Sequence, residues 1–490
     1  MTLVKDQTQW LQSFRTAQGL SVESFPADFL KVIASLEKTA AAQALATAGA
    51  AVCIHPLPNM YFALASLCLR GQSKQAWQQV LIQAFEAIAF TEENYQGNLK
   101  LATMAFDNAD MPLAVQMFEK LAQVHSKNSH AQMNLAFVLK EAHQFKRSEQ
   151  IYRSVVKSKP NEYNITWNFS HLLLLIGKYK EGLMHYETRW HAKGFPSVKR
   201  DFKQAQWTGK KQKIRLLVHA EQGFGDTIQA ARYLHLVQSK VEQLILEVQK
   251  ELLPLFQESL KSLKLHSSDL LWVRQGETLP EFDAHIPFMS LPLALGLHDL
   301  SKPPLQTAYL TTTPLVNRVV EAKTIQPMFV GLVWKGRPTH PHDARRSFKL
   351  KELETLLSTP GVRFFSFQQR VTSAEKEILE KYQVVDLENR LSSFKETAGL
   401  MSGMDLMICT DTAVAHTSAA LGVPTWIGLA ACPDWRWGVE GETTPWYAQV
   451  RLWRQGDDRV WTPVFERMSH QLLETVVDWM LGKKWLNKQN

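Results

Sequence analysis

Sliding the stretch from about residue 94 to 190 along itself by 34 positions lines up Leu101, Leu135 and Phe169, then Met111, Phe145 and Tyr179. The same shift aligns Ala114, Ser148 and Gly182, then Phe118, Tyr152 and Tyr186, and it superimposes Asn134 on Asn168. A period of that length with apolar residues at helical spacing describes helix pairs that cannot bury their apolar faces alone and must stack on their neighbours. The small residue at Ala114, Ser148 and Gly182 suits a close helix crossing, and the aromatic four positions on fills the gap beside it. Pro160, in KSKPNE, falls where a helix must stop before the next pair begins.

This period and pattern resemble the tetratricopeptide repeat. Three repeats are expected between about 94 and 190, with a degenerate one at about 58–90 around Gly71 and Ala76. Residues 1–57 read as a further helical segment and 58–190 as an α-solenoid. Such a solenoid offers a concave face to an extended peptide or a partner helix, or else packs as a scaffold on its neighbour.

After Trp190 short apolar strands alternate with amphipathic helices. Strands are expected at 214–220, 244–249, 271–274 and 284–288, then, past the link LSKPPLQTAYL, at 329–334, 362–367, 406–409 and 425–429. A helix is expected at 227–238. This βαβ rhythm predicts two doubly wound, Rossmann-like α/β domains at 205–310 and 311–463, with a ligand cleft at the carboxyl ends of their strands. A last helix in 464–490 is expected to cross back to the first of them.

The 490 residues exceed one ordinary core, and 45% hydrophobic with 21% charged residues is a soluble globular composition. The net charge of +8 fits anionic partners such as phosphates, or plain solubility. Cys53, Cys68, Cys409 and Cys432 are scattered, which argues against a disulfide framework or a zinc site and for a reducing compartment. No signal peptide or membrane helix is legible, so a cytoplasmic protein without a nucleic-acid partner is expected.

Two stretches carry the chemistry. In IRLLVHAEQGFGDTI an apolar strand runs into Gly223-Phe224-Gly225-Asp226. A dinucleotide fingerprint needs a third glycine where Ile228 stands, although Glu247 lies at about the spacing of a ribose-binding acid. The alternative is a turn that exposes Asp226 to the cleft, or an Asp226 that caps the helix expected from Thr227. In DLMICTDTAVAHTSAALGVPTWIG, a strand, then Asp411 and Thr412, then a small-residue helix would bring free N–H groups to the cleft, with His416 one turn on. The plainer roles are a cap for Asp411 and packing for His416. Trp435, Trp437, Trp446 and Tyr447 suit either a sugar platform or hinge packing, with Arg436 as an ion-pair partner. His340-Pro341-His342-Asp343 is read as a solvated or donor-contacting loop rather than a metal site.

The pair GFGDTI and TDTAVAHTSAALGVPTW resembles glycosyltransferases related to the lipopolysaccharide heptosyltransferases, glycosyltransferase family 9. VGLVWKGRPTH, RRSFKL, FFSFQ and PDWRW agree with it over about 205–455. Fused to tetratricopeptide repeats, the chain is similar to bacterial repeat-containing glycosyltransferases and more distantly to O-linked N-acetylglucosamine transferases. The resemblance implies a GT-B fold and a metal-independent transfer of sugar from a nucleotide diphosphate sugar, without a cofactor. By it, Asp226 is the general base, while Asp411, Thr412 and His416 bind the donor. Arg345 or Arg346, with Lys335 as another candidate, neutralises the diphosphate. The acceptor is expected to be a protein or peptide held by the repeats. The alternatives are a glycolipid or small acceptor, or an adaptor that has kept the fold without the catalysis.

Overall fold

The computed structural model describes residues 74–221, 223–316, 326–339 and 343–482. The expected segment 1–57 and the first part of the degenerate repeat, Gly71 included, lie outside them. The chain divides into two compact units, Met1–Lys159 and Pro160–Asn490.

In the first unit α1 (Lys74–Ala87) precedes two helical hairpins, α2 (Tyr95–Asp107) with α3 (Met111–Val124) and α4 (Ser129–Glu141) with α5 (Phe145–Ser158). Asp110 caps α3 by accepting from the Leu113 amide, and Asn128 caps α4 by accepting from those of His130 and Ala131. At the small-residue position the Ser148 hydroxyl donates to the Ala136 carbonyl at 2.6 Å, so the two helices of that hairpin do meet there. Leu101, Ala114 and Phe118 are buried in one core with Trp77, Leu81, Phe85 and Leu139. The hairpin turns repeat too: Ala109 and His143, 34 apart, both adopt a left-handed backbone, with φ of 60° and 58°.

The second unit opens with the third hairpin, α6 (Tyr163–Leu175) and α7 (Tyr179–Tyr186), followed by a 3-10 turn, Glu187–His191. Its turn residue is Gly177, with φ of 79°. A Cβ on Gly182 would fall 2.8 Å from Leu174 Cγ, which explains why the small position has shrunk to glycine here. The α/β part follows with β1 (Arg215–His219), α8 (Phe224–Ala230), α9 (Leu234–Gln238), β2 (Gln243–Val248), α10 (Leu253–Glu258), β3 (Leu270–Arg274), β4 (Ala284–Pro287) and α11 (Leu291–Ala294). Next come β5 (Met328–Val333), α12 (Asp343–Arg346), α13 (Glu354–Leu357), β6 (Val362–Ser366), α14 (Ser373–Lys381), β7 (Val385–Asp386) and α15 (Phe394–Met401). The chain continues through β8 (Leu406–Thr410), α16 (Ala413–Ala420), β9 (Thr425–Leu429), β10 (Val450–Arg454) and α17 (Thr462–Met480).

All pairings are parallel, in the orders β3-β2-β1-β4 and β10-β9-β8-β5-β6-β7. Each is doubly wound: the order reverses beside β1 in one sheet and between β5 and β8 in the other. Ligands of such sheets bind outside the strand ends at that switch point. Asp226 in the first turn of α8 after β1, Lys335 after β5 and Asp411 after β8 put the candidate residues at the two switch points.

Three expectations need correction. The helix expected from Thr227 begins at Phe224 and is broken by a 3-10 turn at Ala231–Tyr233. Strands β7 and β10 were not foreseen. The last helix does not turn its apolar face to the first α/β half: Val464, Phe465, Met468, Leu472 and Val476 pack with Met328, Leu350 and Leu356 of the second.

Candidate active site

Helix α8 starts on Gly223 as its N-cap, so Asp226 stands within the first turn, and no side chain caps that end. Asp226 is therefore not the cap. A Cβ on Gly223 would lie 2.3 Å from Asp226 Oδ2, and one on Gly225 would lie 2.9 Å from the His416 ring carbon Cδ2. The first glycine gives the carboxylate room to fold back over the helix start, and the second lets α8 approach α16. The dinucleotide reading loses its acid, because Glu247 is buried and accepts from Arg200 at 2.9 Å. Ile228, in the place of the missing glycine, is fully buried.

In the second half, Thr412 is the N-cap of α16, but its hydroxyl points back to the Thr410 carbonyl and bonds no amide of the helix. Arg346 donates from Nη1 to the Asp411 carbonyl at 2.9 Å and from Nε to Asp343 at 3.2 Å. A Cβ on Gly336 would fall 2.6 Å from Arg346 Nη2, so glycine lets the guanidinium lie against the loop after β5. Arg345 shares that helical turn. Lys335 is not gathered with them: its Nζ pairs with Glu375 on α14 at 2.5 Å. His340, Pro341 and His342 lie outside the described residues. Among the described residues no group of three or more His, Cys, Asp or Glu is placed to hold a metal ion.

The two halves meet at Arg436, in the 3-10 turn Trp435–Trp437. Its guanidinium donates to Asp226 Oδ1 at 2.6 Å, Asp434 Oδ1 at 2.7 Å and Gln229 Oε1 at 2.6 Å, and lies 4.5 Å from the centre of the Trp435 ring. Arg436 was expected as an ion-pair partner, and its partners prove to be Asp226 and Asp434. Burial pushes the Asp226 carboxyl above its ordinary value while Arg436 pulls it down. Since 35% of the Asp226 side chain is still accessible, water moderates the rise. Burial also acts to raise Asp434, but Arg436 outweighs it and holds that carboxyl low. Asp411, half-buried, is pushed up to about 6 by burial and then by Asp434, against Arg346.

His416 is buried and stacks on Trp437, ring centres 5.2 Å apart. Its Nδ1 pairs with the Tyr447 hydroxyl at 2.9 Å. Burial, reinforced by Arg436, lowers its pKa to about 3, so the ring is neutral at physiological pH. Tyr447 meets Tyr309, whose hydroxyl accepts from Arg232 at 3.2 Å, and Arg232 also donates to the Trp446 carbonyl at 2.7 Å. Trp435, Trp437, Trp446 and Tyr447 are all buried, which fits hinge packing better than an open platform. The sequence reading missed Asp434, Gln229, Tyr309 and Arg232. The first of these sits in the PDWRW block, where an acid two residues before an arginine was the available signal. An open groove of about 700 Å³, lined in part by Glu442, Arg451, Arg454 and His470, contains none of these residues.

Residues 348–448 match the family model for glycosyltransferase family 9 (heptosyltransferase). That segment contains Asp411, Thr412, His416, Asp434 and Arg436. No curated protein matches the chain. Among solved structures, a glycosyl transferase family 9 protein from Veillonella parvula DSM 2008 is similar at 10% identity and a TM-score of 0.36, over 56% of this chain and 99% of that one. The iron-containing dodecameric glycosyltransferase TibC from enterotoxigenic E. coli H10407 is similar at 12% identity and a TM-score of 0.37, over 56% of this chain and 77% of that one. YrrB, a TPR protein with an unusual peptide-binding site, is similar at 12% identity and a TM-score of 0.24, over 33% of this chain and 82% of that one. Among the described residues no helix is long and apolar enough to cross a membrane.

Proposed function

We propose, from a chain whose residues 348–448 match glycosyltransferase family 9, that the protein transfers a sugar from a nucleotide diphosphate sugar to an acceptor hydroxyl. The observation that carries this reading is the meeting of Asp226, from the first turn of α8, with the second half at Arg436. In this reading Asp226 is the general base. Arg436 holds Oδ1, and Oδ2 takes the proton of the acceptor hydroxyl as that oxygen attacks the anomeric carbon. Charge developing on the leaving diphosphate is met by Arg346, with Arg345 beside it, and by the first amides of α16 at Thr412. Lys335 has a lesser claim, because Glu375 holds it. His416 serves by packing under Gly225 and keeping the two loops in register, as a neutral ring. These cations come from the chain itself, and the reading gives a metal no part.

The acceptor we propose is a protein presented by the repeats. Its support is the helical hairpins that precede the α/β halves in the same chain. The test is incubation of the purified protein with nucleotide sugars and cellular proteins in the presence of EDTA, read by intact mass. A hexose-like mass should appear on specific proteins, and Asp226→Asn should lower its rate by roughly 10²–10⁴-fold. Undiminished transfer by that variant would remove Asp226 from the chemistry. Mass confined to glycolipid would instead exclude the protein acceptor. A panel of UDP, GDP, ADP and CDP should contain at least one nucleotide that raises the melting temperature, since a ligand bound only by the folded state stabilises it. A panel without any shift would count against a donor site.

A further inference from the structure

The loop that leads from β1 into α8, whose first turn carries Asp226, is tied to the last helical repeat by a buried arginine. Arg189, in the 3-10 turn after α7, is fully buried and donates to both carboxylate oxygens of Glu221, at 2.9 and 2.8 Å. Glu221 lies between β1 and Gly223, and it is itself buried. The remaining donors are used as well: Nη1 bonds Glu187 at 2.9 Å and Nη2 bonds the Ser290 hydroxyl at 2.9 Å. The Tyr186 and Trp190 rings lie 4.6 and 4.7 Å from the guanidinium carbon. Tyr186 is the aromatic at the repeat's own periodic position, so the residue that packs the last hairpin also walls the arginine. A forked donor bonding both oxygens of one carboxylate fixes direction as well as distance.

The same hairpin abuts the second loop of the site. Helix α6 packs on the turn Trp435–Trp437 that carries Arg436. His171 on that helix stands 5.7 Å, ring to ring, from Tyr186. The last repeat thus touches both segments whose side chains meet at the Asp226–Arg436 pair.

We propose that the last repeat is a wall of the active site and that Arg189 is a positioning residue, acting through Glu221 to fix the loop that presents Asp226. This rests on Asp226 being the base, but the placement of the loop can be tested without turnover. Removing one partner alone would leave a buried unpaired charge and threaten the fold, so the full-length variant carries Arg189→Met and Glu221→Gln together. Amide hydrogen exchange should rise about tenfold or more in peptides covering 219–231, while peptides from β5 and β8 stay protected. Arg189→Lys, which keeps the charge but loses the fork, should open the same peptides. No change at 219–231, or a uniform rise over all of 160–490, would overturn the proposal, since the bridge would then be idle or merely structural. With UDP-glucose, GDP-mannose and ADP-glucose as probes, the double variant should lower kcat and leave the donor KM unchanged. If the wild type turns over none of them, these three donors are excluded, and the exchange pattern alone decides the role of Arg189.

Discussion

Arg436 acts to lower the two carboxyls it bonds, Asp226 and Asp434. Burial and then Asp434 raise the Asp226 pKa, while Arg436 and then Arg189 lower it, so removing the Arg436 guanidinium takes away the larger of the two lowering effects. A base works only when deprotonated, and activity fades as pH falls through its pKa. Arg436→Gln should therefore move the acid limb of the kcat/KM profile to higher pH, by about one unit or more for a charge at hydrogen-bond distance. An acid limb left in place would mean that Arg436 does not tune the group that titrates. At this scale the sequence was partly legible. Asp226 and Asp411 stood out because each follows an apolar strand, and Arg436 was recognised as an ion-pair partner. That Arg436 bonds Asp226 was not, because 210 residues separate them and no local pattern records the pairing.

Among the elements, the approach of α8 to α16 decides the geometry. It depends on Gly225, where a methyl group would press on His416, itself held between Trp437 and Tyr447. Gly225→Ala should cost about 1–3 kcal/mol of stability by overpacking, and a larger share of activity, because it separates the two loops. Thermal melts and transfer rates measured together would check this; a variant with full activity would show that the approach is dispensable. Most strands were legible from short apolar runs, yet VRLWR at β10 was not. It is an edge strand paired with β9, and Arg451 and Arg454 interrupt what would otherwise be an apolar run. The start of α8 was misjudged because the Asp and Thr that suggest a cap lie inside the first turn, with Gly223 as the actual cap.

For the whole of residues 160–490, Arg232 is a second tie between the α/β halves, beside Arg436. It is fully buried, bonds the Trp446 carbonyl, and stands 5.0 and 4.7 Å from the Tyr309 and Tyr447 rings. Arg232→Met keeps a stem of similar bulk and loses the charged bonds. It should lower the melting temperature by about 5 °C and expose the link at 302–316 to protease. An unaltered digestion pattern would assign the tie to other contacts. The sequence by itself determined the repeat period, the two βαβ series and the placing of an acid after β1 and β8, because these are local and periodic consequences of burying alternate or helical faces. Only the tertiary structure decided that Asp226 bonds Arg436, that His416 is buried against Trp437 and Tyr447, and that Arg189 ties the last repeat to the segment leading to Asp226. Those outcomes depend on partners distant in the chain and on how much water remains around each group, and neither is written in any short stretch of residues.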